Sequence, residues 1–277
     1  MLSVVIVTYN SEEFIKSCLE SVFIQGYKDF EVIVIDNGSQ DKTNGLIRNT
    51  YPQINLIRND KNEGACKARN QGVEIAKGKY ILTLDCDVVL DKDFLIRIVE
   101  VLESCDKNVG IVQPKIFKSD KRTIFSTGIY LSKLRRFYDI GNDVTDKGQF
   151  QRQRYVFGAC SAAALYKKEM LEDIKDNNGY FDERFFFLVE DADLAWRAQK
   201  CGWKALYLPS AICYHSGDSS KTTKKIRQYL SFRNRYLTML KNDGILGILI
   251  RLPFLIFYDV PRFLYLLATN RYIWLKI

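Results

Sequence analysis

A chain of 277 residues that is 47% hydrophobic and 27% charged has ample apolar material for a core, which excludes a disordered or low-complexity protein. Its net charge of +8 suits an anionic substrate, an anionic membrane surface or nucleic acid, and charge alone does not choose among them. Seven cysteines, an odd number with no CxxC or zinc-type spacing, read as reduced thiols rather than a disulfide framework or a zinc site. The opening MLSVVIVTYNSEEF has no basic region followed by a long apolar stretch, so no secretory leader is expected and the protein is expected to face the cytoplasm.

Leu2 to Thr8 is a β-branched apolar run ending in Tyr-Asn-Ser, the pattern of a buried strand meeting a loop. Ser11 reads as a helix N-cap ahead of Phe14, Ile15, Cys18, Leu19 and Val22 at helical spacing. Glu31 to Ile35 predicts a second buried strand, stopped by the turn-rich Asp36-Asn37-Gly38-Ser39. A helix from Thr43 to Tyr51, a strand from Ile54 to Arg58, the turn Asn62-Glu63-Gly64 and a helix from Ala65 to Lys77 follow. Tyr80 to Leu84 is a fourth strand, running into Asp85-Cys86-Asp87.

This alternation predicts a parallel α/β sheet with right-handed crossovers. Ligands of such sheets sit at the carboxyl ends of the strands, where Thr8-Tyr9-Asn10, Asp36-Asn37 and Asp85-Cys86-Asp87 all fall. From about 110 to 215 the pattern turns to mixed strands and loops, with a helix over Asp191 to Cys201 and a strand over Lys204 to Tyr214.

Three constellations carry chemistry. Asp85 and Asp87 follow a buried strand; a tight turn there turns both carboxylates to one Mg2+ or Mn2+, and a solvated turn explains them as well. His215 is the only histidine, and its place at a strand end before Ser216-Gly217 favours a metal ligand over a structural role. Phe185 to Val189 leads into Glu190-Asp191-Ala192-Asp193 at a helix mouth, where the acids serve as dipole partners or as a general base beside an apolar wall.

Val4 to Ser11, Val34 to Ser39, Asn62-Glu63-Gly64 with Ala68-Arg69-Asn70, and Asp85-Cys86-Asp87 resemble the nucleotide half of family 2 glycosyltransferases. Gly179 to Glu183, Glu190 to Leu194 and His215 resemble its acceptor half in order and spacing. The resemblance is closest in flavour to rhamnosyltransferase-like members that build surface polysaccharides.

It implies a GT-A fold, with a Rossmann-like, mostly parallel sheet flanked by helices, and transfer from a nucleoside-diphosphate sugar with inversion. It implies that Tyr9 stacks on the base beside Thr8 and Asn10, that Asp36 meets the base edge, and that Asn62 and Arg69 lie near the nucleotide. It further implies that Asp85 meets the ribose and the metal shell, that Asp87 and His215 bind the metal, and that Asp191 takes the acceptor's proton. The donor it suggests is dTDP-rhamnose or a UDP-sugar, and the acceptor a lipid-linked glycan. Lys221, Lys224 and Lys225 close over the phosphates or form a solvated basic loop, and Arg154 to Ala164 is the expected acceptor region.

The organisation expected is a catalytic domain over 1–235, with a nucleotide half at 1–107 and an acceptor half at 108–235. An apolar helical appendage over 236–277 completes it. Charges at Arg251, Asp259, Arg262, Arg271 and Lys276 leave no uncharged run of the ~18–20 residues a span needs, and Pro253 and Pro261 argue against one straight helix. The aromatic and basic mixture fits a segment lying in the membrane interface at the cytoplasmic face.

A nucleotidyltransferase wants a glycine-rich loop with a basic residue after the first strand, and Thr8 to Glu13 offers none. Dispersed basic residues disfavour a nucleic-acid partner. A non-catalytic nucleotide-sugar binding protein of a polysaccharide assembly complex is the remaining rival, distinguished by having no need of Asp191.

Overall fold

The computed structural model describes residues 1–217 and 222–270. Four parallel strands, β1 (Leu2–Thr8), β2 (Phe30–Asp36), β3 (Asn55–Arg58) and β4 (Tyr80–Asp85), are joined by helices α1 (Ile15–Phe23), α2 (Thr43–Thr50) and α3 (Ala65–Ile75). Side chains of β1 alternate between two cores, as strand geometry requires. Val4 and Ile6 pack with Ile15, Cys18 and Leu19 of α1, while Val5 packs with Cys66, Ala68 and Val73 of α3. At Gly72 of α3 a Cβ would lie 2.3 Å from the Val5 side chain, so the missing side chain lets the helix rest directly on β1.

The predicted cap at Ser11 is corrected. Helix α1 begins at Ile15 with no side-chain cap bond, and the Ser11 hydroxyl instead donates to the Tyr9 carbonyl at 3.0 Å. A short hydroxyl at a strand end closes its own local turn in preference to capping a helix four residues on.

The second half extends the same sheet through β5 (Val88–Leu90), α4 (Phe94–Ser104), β6 (Val109–Lys118), β7 (Ile124–Ser126), β10 (Arg154–Val156), β11 (Ala163–Lys167) and β12 (Lys204–His215). The main path runs β10-β12-β6-β11-β4-β1-β2-β3, with β5 on β12 and β7 on β6. Strand β11 is antiparallel to both β4 and β6, so it joins the two halves, and β12 runs parallel to β6. A separate hairpin pairs β8 (Ile129–Leu131) with β9 (Phe137–Asp139). Helices α5 (Lys168–Ile174) and α6 (Glu190–Lys200) cover one face, and α7 (Lys224–Asn242) and α8 (Gly244–Thr269) follow.

The tail differs from its expectation in two respects. Pro253 and Pro261 both lie inside one continuous 26-residue helix, α8. That helix is long and apolar enough to cross a membrane by length and composition, with a mean hydropathy of 1.6 over its best window. Two of the charges that break the sequence run, Arg251 and Asp259, turn towards the domain. Asp259 is buried against Arg235 at 2.7 Å and the Tyr236 hydroxyl at 2.8 Å, and Arg251 bonds the Gly247 carbonyl at 2.7 Å and lies 3.2 Å from Asp243. The outward face is left apolar, with Ile245, Leu246, Ile250, Phe254 and Phe257 exposed. Helix α7 runs unbroken across residue 235, the expected division between domain and appendage.

Candidate active site

Parallel register places Thr8 opposite Asp36, and Val7 opposite Asp85, so the strand ends converge on one rim of the sheet. Strand β4 stops at Asp85, and Cys86-Asp87 form a turn before β5. The antiparallel pairing of β5 with β12 sets Val88 opposite His215, and Ser216 N donates to the Asp87 carbonyl at 3.1 Å. Asp85, Asp87 and His215 thereby offer one ligand atom each, all within 4.8 Å of one another.

Two carboxylates and an imidazole are a donor set suited to Mn2+ or Mg2+. His215 Nε2 lies 3.2 Å from Asp87 Oδ1, while its Nδ1 is buried with no hydrogen-bond partner among the described residues, which favours a ligand over a satisfied structural histidine. Burial lowers the imidazole's pKa, but the hydrogen bond and charge of Asp87, with Asp85 and Asp139 behind, raise it above its ordinary value. Phe125 meets the ring edge-on at 4.3 Å between centroids and shields it.

The metal trio is wired to the predicted base. Buried Arg69 of α3 donates to Asp85 Oδ1 at 2.9 Å and to Glu190 Oε1 at 2.5 Å. Burial opposes its charge, and the two carboxylates hold it firmly protonated. Asp191, next to Glu190 at the start of α6, accepts from Ala192 N at 2.8 Å. Burial, then the charges of Glu190 and Asp139, push its carboxyl up to about 8.

The approach to α6 is strained. Phe186, Leu188 and Val189 have φ of 67°, 70° and 73°, a region that residues other than glycine rarely adopt, the β-branched Val189 least of all. Asn234 of α7, fully buried, donates its amide to the carbonyls of Phe185, Phe187 and Leu188 at 3.0, 2.9 and 2.7 Å. The side of the turn facing α3 is set by Gly64, where a Cβ would fall 2.8 Å from the Phe186 carbonyl.

A cleft of about 470 Å3 brings together Tyr9, Asn62, Arg69, Asp85, Asp87, Asp191 and His215. Three other sequence candidates stand behind it. Thr8 is buried; Asn10, at a φ of 49°, bonds the Ser39 and Gln40 loop; Asp36 is buried and commits its oxygens to Ser39 N and the Asn44 amide. Asn62 is fixed by the Asn37 amide at 3.0 Å, which ties the Asn62-Glu63-Gly64 turn to the end of β2.

Within 154–164, Cys160, Ser161 and Ala162 line the cleft. Lys224 and Lys225 are exposed at the start of α7 and lie outside it, where Arg227 and Ser231 of that helix line it instead; Lys221 lies outside the described residues. All seven cysteines are free thiols.

Asp139, Glu190 as the partner of Arg69, and Asn234 are the contributors that sequence reasoning missed. Glu190 stood in a motif that the reading had noticed. Asp139 and Asn234 sit in segments without one.

A cleft at the carboxyl edge of a mixed sheet, with Asp85, Asp87 and His215 grouped as candidate metal ligands and the Asp191 carboxylate in the same cleft, fits the GT-A class of glycosyltransferase domain. The chain belongs to glycosyl transferase family 2, whose sequence profile matches residues 3–175. It is 28% identical over 215 residues to the poly-beta-1,6-N-acetyl-D-glucosamine synthase of Staphylococcus aureus (strain COL), covering 74% of this chain but only 47% of the synthase. The fold is similar to that of GalNAc-T7 solved with UDP, GalNAc and Mn2+, at a TM-score of 0.62 and 18% identity over 78% of this chain and 43% of that one. It is also similar to S. aureus TarS 1-349 in complex with UDP-GlcNAc, at a TM-score of 0.58 and 19% identity over 87% of this chain and 67% of that one.

Proposed function

We propose that the protein is a metal-dependent, inverting glycosyltransferase moving a sugar from a nucleoside-diphosphate donor to a hydroxyl of a growing, lipid-linked cell-surface glycan. The observation that carries this reading is the presence, in one cleft, of the Asp85, Asp87 and His215 trio and the Asp191 carboxylate. A UDP-sugar is the first choice of donor, supported by the UDP named in the GalNAc-T7 and TarS complexes and by the polymer named for the synthase. The rhamnosyltransferase flavour of the motifs makes dTDP-rhamnose the second.

In this mechanism Asp85, Asp87 and His215 would hold the divalent ion, whose charge would favour departure of the diphosphate. Arg69, kept protonated by its two carboxylates, adds fixed positive charge beside Asp85. Asp191 accepts the proton of the acceptor hydroxyl as that oxygen bonds to the anomeric carbon and the carbon–diphosphate bond breaks. Attack opposite the leaving group inverts the anomeric centre. Helix α8 lies in the membrane interface by its apolar outward face and brings the cleft to a lipid-linked acceptor.

The test is transfer of label from UDP-N-acetylglucosamine, UDP-glucose and dTDP-rhamnose into a membrane lipid fraction, by the wild type and by Asp191→Asn. Transfer by the wild type alone, with nucleotide binding retained in both, is the expected result. Equal transfer by the two proteins removes the base, and binding without transfer in both leaves the non-catalytic reading.

A further inference from the structure

Outside the metal trio, Asp191 and the Glu190 that pairs with Arg69, one more carboxylate among the described residues lines the cleft. Asp139 ends β9, in the small hairpin set apart from the main sheet. Its Oδ1 is buried and has no hydrogen-bond partner among the described residues, although the residue lines the cleft. A buried acceptor of this kind calls for a donor; Ser126 hydrogen-bonds the carboxyl, but among the described residues none supplies a donor to Oδ1.

The position of Asp139 narrows what that donor is. It shares the cleft with His215 and Asp191 and lies near enough for its charge to act on both. In the proposed reaction the transferred sugar must lie between the diphosphate, at the metal trio, and the acceptor hydroxyl, at the base. Asp139 therefore flanks the sugar ring rather than the nucleotide. A carboxyl oxygen without a donor accepts hydrogen bonds, and a sugar ring presents hydroxyl donors.

The hairpin is also held rigidly enough to discriminate. Ile140 N, next to Asp139, donates to the Gly128 carbonyl at 2.7 Å. At the hairpin's far end Arg235 of α7 donates to the carbonyls of Leu134 and Arg135 at 2.6 and 2.9 Å. The Arg135 guanidinium in turn grips both oxygens of Asp243 at 2.8 and 2.7 Å. A carboxylate on a fixed backbone reads hydroxyl configuration, because a hydroxyl in the wrong place leaves it unpaired.

We infer that Asp139 determines donor specificity by accepting hydrogen bonds from ring hydroxyls of the transferred sugar. The inference rests on the function proposed above and adds to it the residue that reads the sugar.

The test uses the full chain and its Asp139→Ala and Asp139→Asn variants, checked for folding by thermal melting. Two quantities are measured with Mn2+ present: affinity for UDP, and acceptor-free hydrolysis of UDP-glucose, UDP-galactose, UDP-N-acetylglucosamine and dTDP-rhamnose. Hydrolysis without acceptor reports on the donor sugar alone. The expected result is unchanged UDP affinity, a fall of about tenfold to a hundredfold in kcat/KM for the best wild-type donor in Asp139→Ala, and a narrowed preference among the four donors. Asp139→Asn, which keeps the acceptor oxygen, loses less.

Wild-type hydrolysis and preference in both variants overturn the inference. So does a loss of hydrolysis in which UDP affinity falls in parallel. If the wild type binds no nucleotide, the proposed function fails and this inference fails with it; if it binds and hydrolyses donor regardless of residue 139, only this inference fails.

Discussion

Asp191 carries the sharpest conflict between stability and chemistry. Burial and the neighbouring Glu190 and Asp139 raise its carboxyl to about 8, against an ordinary value of 3.8. A base must be ionised to act, so kcat/KM for transfer is expected to rise with pH to a midpoint near 8, and a profile flat from pH 6 to 9 contradicts the assignment. Asp191→Asn is expected to lower transfer by about a hundredfold to ten-thousandfold with nucleotide affinity kept.

The same shift has a stability sign. Between the two pKa values the folded state holds a proton that the unfolded state has lost, so Asp191 stabilises least once pH has risen through about 8. The melting-temperature gain of Asp191→Asn should therefore grow from pH 4 to pH 8 and level off above, as thermal melts across that range will report.

At this scale the sequence carried the acids and the lone histidine, because each ends a strand or opens a helix in a recognisable run. It did not carry Asp139 or Asn234. Asp139 acquires its meaning only when a three-residue strand is folded over the cleft. Asn234 sits in an ordinary basic helix and matters because three carbonyls of a strained turn converge on it.

Among the elements, α7 does two jobs: it clamps the turn ahead of Asp191 and it grips the β8–β9 hairpin. Asn234→Ala removes the shared donor from three carbonyls, and a loss of about 1–3 kcal/mol in chemical denaturation is expected, with kcat falling more than nucleotide affinity. The Arg235–Asp259 pair is buried on both sides, at 6% and 4% side-chain exposure. Arg235→Met alone should cost about 3–5 kcal/mol by leaving Asp259 unpaired, and adding Asp259→Leu should recover much of it. If the single and double variants melt alike, the pair does not hold α8 to the domain.

The first four strands were legible because each is apolar, short and stopped by turn residues. The sidedness of the tail is invisible in a linear count: Arg251 and Asp259 interrupt the run in sequence, yet they bond the Lys133 carbonyl and Arg235 and leave the opposite face apolar. Prolines 253 and 261 remove helix hydrogen bonds without ending the helix.

For the molecule as a whole, the sheet has two jobs divided at β11, the antiparallel strand between the nucleotide half and the half that carries β12, α6 and the hairpin. The cleft lies where they meet. Helix α8 presents large apolar side chains to the outside, Phe257 at 83% and Ile245 at 78% exposure, on a chain of net charge +8. Flotation with anionic vesicles is expected to carry the protein, with neutral vesicles carrying less, and Phe257→Asp with Ile245→Asp should release it without disturbing nucleotide binding.

The central claim is that a divalent ion and a nucleoside diphosphate share the site made by Asp85, Asp87 and His215. Calorimetric titration of UDP, dTDP and GDP into the protein, with and without Mn2+, tests it most directly. Binding of one nucleotide that requires the metal and disappears in Asp87→Ala is the predicted result. No binding of any of the three to folded protein, or binding indifferent both to Mn2+ and to residue 87, contradicts the account.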